Sequence, residues 1–166
     1  AGIVLEDAVI NVTSQKAKAS GIIGSQKVSN AVLVNVKGNL DLTVTSEGAQ
    51  AQAVSMAGGF ASLGADGKVV NITANSKNSR GVVADQGATI DLKGKSISVN
   101  AADESGRAVA AYDGGTINLG NENTDSVEVN GNFSGIIALA KNSKVNVVSK
   151  KIVVNSTNFG VHVQNN

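Results

Sequence analysis

The chain has 166 residues, of which 42% are apolar, and its 14 basic and 13 acidic residues give a net charge of +1. It contains no Cys, which excludes disulfide scaffolds, Cys-ligated metal centres and cysteine catalysis. The near-neutral charge and the presence of one Tyr, three Phe and no Trp argue against a nucleic-acid partner, because such surfaces use basic patches and stacking rings.

The remaining composition favours short strands joined by turns. Val and Ile are abundant and β-branched, whereas Asn and the 19 Gly tolerate turn conformations. Apolar and polar residues alternate at residues 40–44, 90–92 and 127–129, which indicates strands with one buried and one exposed face. The length is that of one domain.

In chain order, the first candidate unit is short. Residues 2–5 are similar to the strands that open the later repeats, and residues 10–12 are predicted as a second or a third strand of the same unit. Because Gly21 follows Gly2 so closely, we expect an incomplete or shortened first coil.

A longer unit of three short strands then repeats along the chain. A small residue anchors the first strand of each unit, at Gly21, Ala53, Gly81, Ala108, Gly135 and Gly160. Second strands are predicted at residues 90–92, 117–119 and 145–147. Third strands are predicted at residues 42–44, 70–72, 97–99, 127–129 and 152–154.

This repeat predicts an all-β fold, a parallel β-solenoid with three strands per coil and about five coils. Stacking is required because one coil cannot bury its apolar face alone. The absence of Pro agrees, since nearly every strand is central and Pro cannot donate to a sheet ladder.

Strand alternation assigns the faces of each coil. The inward positions of the first strands are predicted to be Ile22, Val54, Val82, Val109, Ile136 and Val161. The neighbouring outward series is also apolar, at Ile23, Val83, Ala110 and Ile137, and is either a contact surface or covered, for example by a loop near residues 27–30. In the second strands, Asn118 and Asn146 predict an amide ladder that Asp91 would interrupt.

The run from Arg107 to Leu119 (R-A-V-A-A-Y-D-G-G-T-I-N-L) and the run from Arg80 to Leu92 resemble repeats in the passenger domains of bacterial autotransporters. The resemblance covers roughly residues 21–163. It implies a right-handed parallel β-helix, exported through an outer-membrane β-barrel and displayed at the bacterial cell surface or released outside. Filamentous haemagglutinins of two-partner secretion are similar at this level. We expect residues 1–166 to form a single β-helix segment of a longer passenger, whose barrel would be its only contact with the membrane.

Candidate catalytic groups are few. His162 is the only His and is predicted to face solvent near the chain end, so a Ser-His-Asp triad would depend on it entirely. The carboxylates considered are Asp85, Asp91, Asp103, Glu104 and Asp113. They are expected to be solvated turn residues; the alternative is the acid groups of a polysaccharide-cleaving β-helix. Arg80 and Arg107 stack at the opposite end of the first strand from Asp85 and Asp113, about 13–16 Å away.

Positive charge is concentrated late in the chain. Residues 135–166 contain four Lys and no acidic residue. These lysines are expected to form either a solvated edge that discourages aggregation or a site for anionic glycans.

Together these features predict a non-enzymatic, surface-displayed β-helix segment that serves as an adhesin or stalk and binds along the side of the rod. The expected partners are molecules of host or neighbouring cell surfaces, glycans among them, or a second copy of the chain. No catalytic residue, cofactor or metal is expected. The possible contact residues are Ile23, Val83, Ala110, Ile137, Lys141, Lys144, Lys150 and Lys151. The alternative is a fragment of a carbohydrate-active β-helix enzyme.

Overall fold

A computed structural model describes residues 2–26 and 32–165. The described chain is all-β and winds through six coils of three strands each. Coil 1 contains β1 (Ile3–Leu5), β2 (Ala8–Ser14) and β3 (Ala19–Ser25), and coil 2 contains β4 (Val32–Val36), β5 (Leu40–Ser46) and β6 (Ala51–Ala57). Coil 3 contains β7 (Phe60–Gly64), β8 (Val69–Asn75) and β9 (Arg80–Asp85), and coil 4 contains β10 (Thr89–Lys93), β11 (Ser96–Ala101) and β12 (Arg107–Tyr112). Coil 5 contains β13 (Thr116–Leu119), β14 (Ser126–Gly131) and β15 (Ser134–Leu139), and coil 6 contains β16 (Lys144–Val147), β17 (Lys151–Asn155) and β18 (Phe159–Gln164).

Corresponding strands of successive coils pair in parallel and build three sheets of six strands. Sheet A contains the first strand of every coil, sheet B the second and sheet C the third. The strands predicted around the anchor residues form sheet C, the predicted second strands lie in sheet A, and the predicted third strands lie in sheet B. The predicted parallel β-solenoid with three strands per coil is therefore confirmed.

The first coil corrects two details of that prediction. Residues 3–25 form a complete coil, so the described rod has six coils where about five were expected. The segment containing β1 is not an anchor strand, because Ile3 pairs with Val34 in sheet A. The β1 segment resembles an anchor strand in local composition only. The sheet that β1 joins depends on its pairing with β4 in the next coil. Residues 10–12 lie in sheet B, which was one of the two positions considered.

The interior is filled by aliphatic side chains from all three sheets. Leu42, Leu63, Ile72 and Ile117 are fully buried. The predicted inward residues of sheet C are buried from coil 1 to coil 5, but Val161, on the last strand of the sheet, is 65% exposed. The core of the described residues contains no aromatic side chain, because branched aliphatic groups fill the narrow coil.

The anchor position is small because two coils approach closely there. A Cβ atom added to Gly81 would stand 2.5 Å from the carbonyl oxygen of Ala108, and one added to Gly21 would stand 2.6 Å from that of Ala53. Both distances are too short for a side chain to fit without moving the backbone. The same contact recurs at Gly135, where the carbonyl oxygen of Gly160 would lie 2.8 Å away.

Two ladders of side-chain amides run along the outside of the rod. In sheet A, Asn146 Nδ2 donates to Asn118 Oδ1 at 2.7 Å, and Asn118 Nδ2 donates to Asp91 Oδ1 at 2.6 Å. The prediction that Asp91 interrupts this ladder is wrong, because its carboxylate accepts the last hydrogen bond. A second ladder in sheet B joins Asn155, Asn130 and Asn100 at 2.7 and 2.6 Å.

Truncation of a central core residue tests the contribution of coil stacking. Leu42→Ala is expected to lower the free energy of unfolding by about 2–5 kcal/mol, because it leaves a cavity between coils 1 and 3. Val9→Ala is the matched control, since Val9 is 73% exposed. Denaturant unfolding measures both; equal losses for the two variants would contradict the packing described here.

Candidate functional site

The outer face of sheet C carries a groove with a volume of about 420 Å³ in the second half of the rod. It crosses the strands β9, β12, β15 and β18 and the turns that follow them. Its lining combines cationic, anionic, aromatic and apolar groups, contributed by Arg80, Asp85, Arg107, Tyr112, Asp113, Leu139, Ala140 and Gln164.

Beside this groove lies the outward apolar series expected from the sequence. Val83, Ala110 and Ile137 form a small cluster separate from the main core, and only 4%, 0% and 2% of their surfaces are exposed. Tyr112 and Leu139 pack against them, so neighbouring side chains of the same sheet cover this series. Three of the four residues are thus not open to a partner.

The fourth member of that series, Ile23 in coil 1, is 52% exposed. The covering loop that we expected near residues 27–30 lies outside the described residues.

Both arginine side chains line the groove. Arg107 Nη1 donates a hydrogen bond to the Tyr112 hydroxyl oxygen at 3.2 Å, although the two residues lie five positions apart. Arg80 lies beside Arg107 in register and lines the same groove. Arg80, Arg107, Asp85 and Asp113 thus line one groove, with the arginines and the carboxylates at opposite ends of their strands as expected.

Aromatic rings gather at the anchor end of the same face. The Arg107 guanidinium carbon lies 5.4 Å from the centroid of the Phe133 ring, within the range of a cation–π contact. Phe133 meets the Phe159 ring edge-to-face at 5.7 Å, and Phe159 stacks on the His162 imidazole at 4.8 Å. Sequence reasoning missed this cluster, because its members belong to different coils.

The charged groups of the groove are not paired with one another. Among residues 2–26 and 32–165, neither Arg80 nor Arg107 forms an ion pair with a carboxylate. The Nε atom of Arg80 is buried and has no hydrogen-bond partner. The Asp85 carboxylate accepts a hydrogen bond from the backbone N–H of Gln86 at 2.8 Å, which anchors it in its turn.

The other predicted carboxylates lie elsewhere. Asp91 belongs to the amide ladder of sheet A. Asp103 accepts a hydrogen bond from the backbone N–H of Ser76, at the turn between sheets B and C. Glu104 follows it in that turn and is exposed. Of the five candidates, only Asp85 and Asp113 therefore line the groove.

The four late lysines are all exposed, and they occupy two corners of coil 6. Lys141 and Lys144 stand at the corner between sheets C and A, and Lys150 and Lys151 at the corner between sheets A and B. Lys150 is paired with Asp125 at 2.7 Å, and this hydrogen bond and charge lower the pKa of Asp125. The lysines consequently form two small groups on the rod.

A second polar cluster joins coils 3 and 5 across the corner between sheets A and B. Asp66 Oδ1 accepts a hydrogen bond from Asn121 Nδ2 at 2.7 Å, and Asp66 Oδ2 accepts one from Asn123 Nδ2 at 3.0 Å. These hydrogen bonds lower the pKa of Asp66. The sequence signal was weak, since the partners are separated by more than 50 positions.

The part of the chain that the structure describes contains no group of three His, Asp or Glu side chains placed to hold a metal ion. It also contains no helix long and apolar enough to cross a membrane. No protein-family model matches the chain, and no curated protein or solved structure is significantly similar to it. The class that the fold defines is the parallel β-solenoid.

The Asp66 cluster predicts an acid-sensitive contribution to stability. Because the folded state lowers the pKa of Asp66, its stabilisation is complete above the unfolded value of about 4 and is lost as the pH falls through the folded value. Asp66→Asn should therefore reduce the loss of stability between pH 7 and pH 3, measured by denaturant unfolding. Asp41→Asn, at an exposed position on β5, should leave that loss unchanged. Parallel pH profiles for the parent and Asp66→Asn would contradict this assignment.

Proposed function

We propose that the chain is a non-enzymatic β-helix segment, displayed at a bacterial cell surface or outside the cell, that acts as an adhesin or stalk. The observation that carries the proposal is the groove on sheet C, which presents aromatic, cationic and hydrogen-bonding groups along the side of a regular rod. The partners are molecules of host or neighbouring cell surfaces, with glycans foremost.

The rigidity of the groove supports a binding role. Six of its eight side chains stand on paired strands, and Arg107 is held by the Tyr112 hydroxyl group and by the Phe133 ring. Side chains that are already ordered lose little conformational entropy when a ligand binds. Aromatic and Arg residues are also those that dominate the energy of protein interfaces.

The resemblance to autotransporter passengers adds the proposed location. Passengers are exported and displayed, and a solenoid suits display because its length grows with the number of coils. Self-association along the side of the rod remains part of the proposal, with the groove face of a second copy as the partner.

Adhesion by the purified chain tests this function. Beads coated with the chain should bind cultured epithelial cells or bacterial cells, and Tyr112→Ser should weaken binding several-fold by removing the aromatic side chain of the groove, whose hydroxyl group accepts a hydrogen bond from Arg107. Val163→Ser is the control, since Val163 is exposed and lies outside the groove lining. Equal binding by both variants and the parent, or no binding by the parent, would refute the proposal.

A carbohydrate-active enzyme is the second candidate, favoured by the presence of Asp85, Asp113 and two arginines in one groove. It predicts cleavage of oligosaccharides, which Asp85→Asn and Asp113→Asn would abolish and Asp41→Asn would not. Reducing-end and unsaturated-product assays over a panel of oligosaccharides measure this. Robust turnover with that dependence would replace the binding function by the enzymatic one.

A further inference from the structure

The arginine pair on sheet C places two like charges side by side in successive coils. Arg80 and Arg107 are direct register partners on neighbouring strands, whose backbones lie about 4.8 Å apart in a sheet. Like charges directly opposite each other destabilise a sheet. Within the described ranges, no carboxylate forms an ion pair with either of them.

The protein meets only part of the hydrogen-bonding capacity of these two groups. A guanidinium group has five N–H donors. Arg107 uses Nη1 towards the Tyr112 hydroxyl group, while the buried Nε of Arg80 has no partner. That Nε is closed to solvent, so a ligand can meet only the part of each guanidinium group that is exposed in the groove. A carboxylate fits best, because its two oxygens match the fork of a guanidinium group.

The rest of the groove specifies what carries that carboxylate. Tyr112 and Leu139 offer an apolar surface beside the arginines, suited to the C–H face of a sugar ring. Asp85 and Asp113 supply acceptors for hydroxyl groups at the far end of the same groove. The cavity, about 420 Å³, has room for a short oligosaccharide rather than an extended polymer.

We infer that the groove binds a carboxylate-bearing saccharide, with the acid group bridging Arg80 and Arg107 and the hydroxyl groups directed to Asp85 and Asp113. This inference rests on the proposed binding function and names its ligand class. Binding relieves the repulsion between the two arginines, so the ligand also stabilises the folded rod.

Calorimetric titration of the 166-residue chain with trigalacturonic acid tests the inference. The neutral galactose trisaccharide and the methyl-esterified trigalacturonate should bind at least about tenfold more weakly, since they lack the charge that the arginines recognise. Arg80→Gln and Arg107→Gln should each weaken binding of trigalacturonic acid by about tenfold or more. Lys68→Gln, which removes the same charge from an exposed turn, should bind as the parent does. Equal affinity for the neutral trisaccharide, or unchanged binding by both arginine variants, would overturn the inference.

Unfolding of the ligand-free variants separates recognition from structure. Arg80→Gln is the informative variant, because it removes one of two like charges together with a buried Nε that has no partner, whereas Arg107→Gln also removes the contacts with Tyr112 and Phe133. If the pair recognises an anion, Arg80→Gln leaves the stability of the ligand-free chain unchanged or raises it, while affinity falls. If the stability and the affinity of Arg80→Gln fall together, Arg80 is structural and the inference fails.

The outcomes also separate this inference from the proposed function. Cell binding without affinity for trigalacturonic acid leaves the adhesin standing and refutes the ligand. Binding of trigalacturonic acid without cell adhesion supports the ligand and refutes the adhesin. Cleavage of the trisaccharide supports the ligand class and contradicts the non-enzymatic function.

Discussion

The stacking of each coil on the next is the interaction on which every other feature of this protein depends. A three-strand coil has no core of its own, and it buries Leu42, Ile72 or Ile117 only when its neighbours cover it. Parallel pairing in register, interrupted by one shift between β4 and β7, then repeats each side-chain position along the axis. Side chains that point inward at one position in successive coils form the core. Side chains that point outward form the Asn ladders, the covered apolar cluster and the arginine pair.

The same repetition explains how a groove arises on the side of the rod. Successive coils differ by single residues within a column, and sheet C changes from Ile23 and Ser55 in the early coils to Val83 and Ala110 in the later ones. The long side chains of Arg107 and Tyr112 stand on either side of this small-residue strip, and their hydrogen bond crosses it. The groove is thus a local variation in side-chain size on a constant backbone, which leaves coil stacking intact.

Sequence periodicity predicted the strands and sheets well, because anchors such as Gly21 and Gly81 mark a close approach between the backbones of two coils. It misassigned the segment containing β1, where the sheet is chosen by the neighbouring strand. It also missed the joint site of Arg107, Tyr112 and Phe133, since side-chain reach and contacts between coils are not encoded in spacing along the chain. Asp91 was misjudged for a chemical reason, because a carboxylate is as good an acceptor as an amide oxygen.

The amide ladders have a mechanical consequence. Strands run across the rod, so the hydrogen bonds between coils, and those of the ladders, point along its axis. A pull on the two ends therefore loads the bonds between one pair of coils at a time, as in a zipper, instead of shearing a whole sheet at once. The ladders in coils 4 to 6 add side-chain hydrogen bonds, at Asn118 and Asn130, between the two coils that separate. Under tension, such a rod would unfold one coil at a time, so that it lengthens in steps and dissipates energy before it breaks.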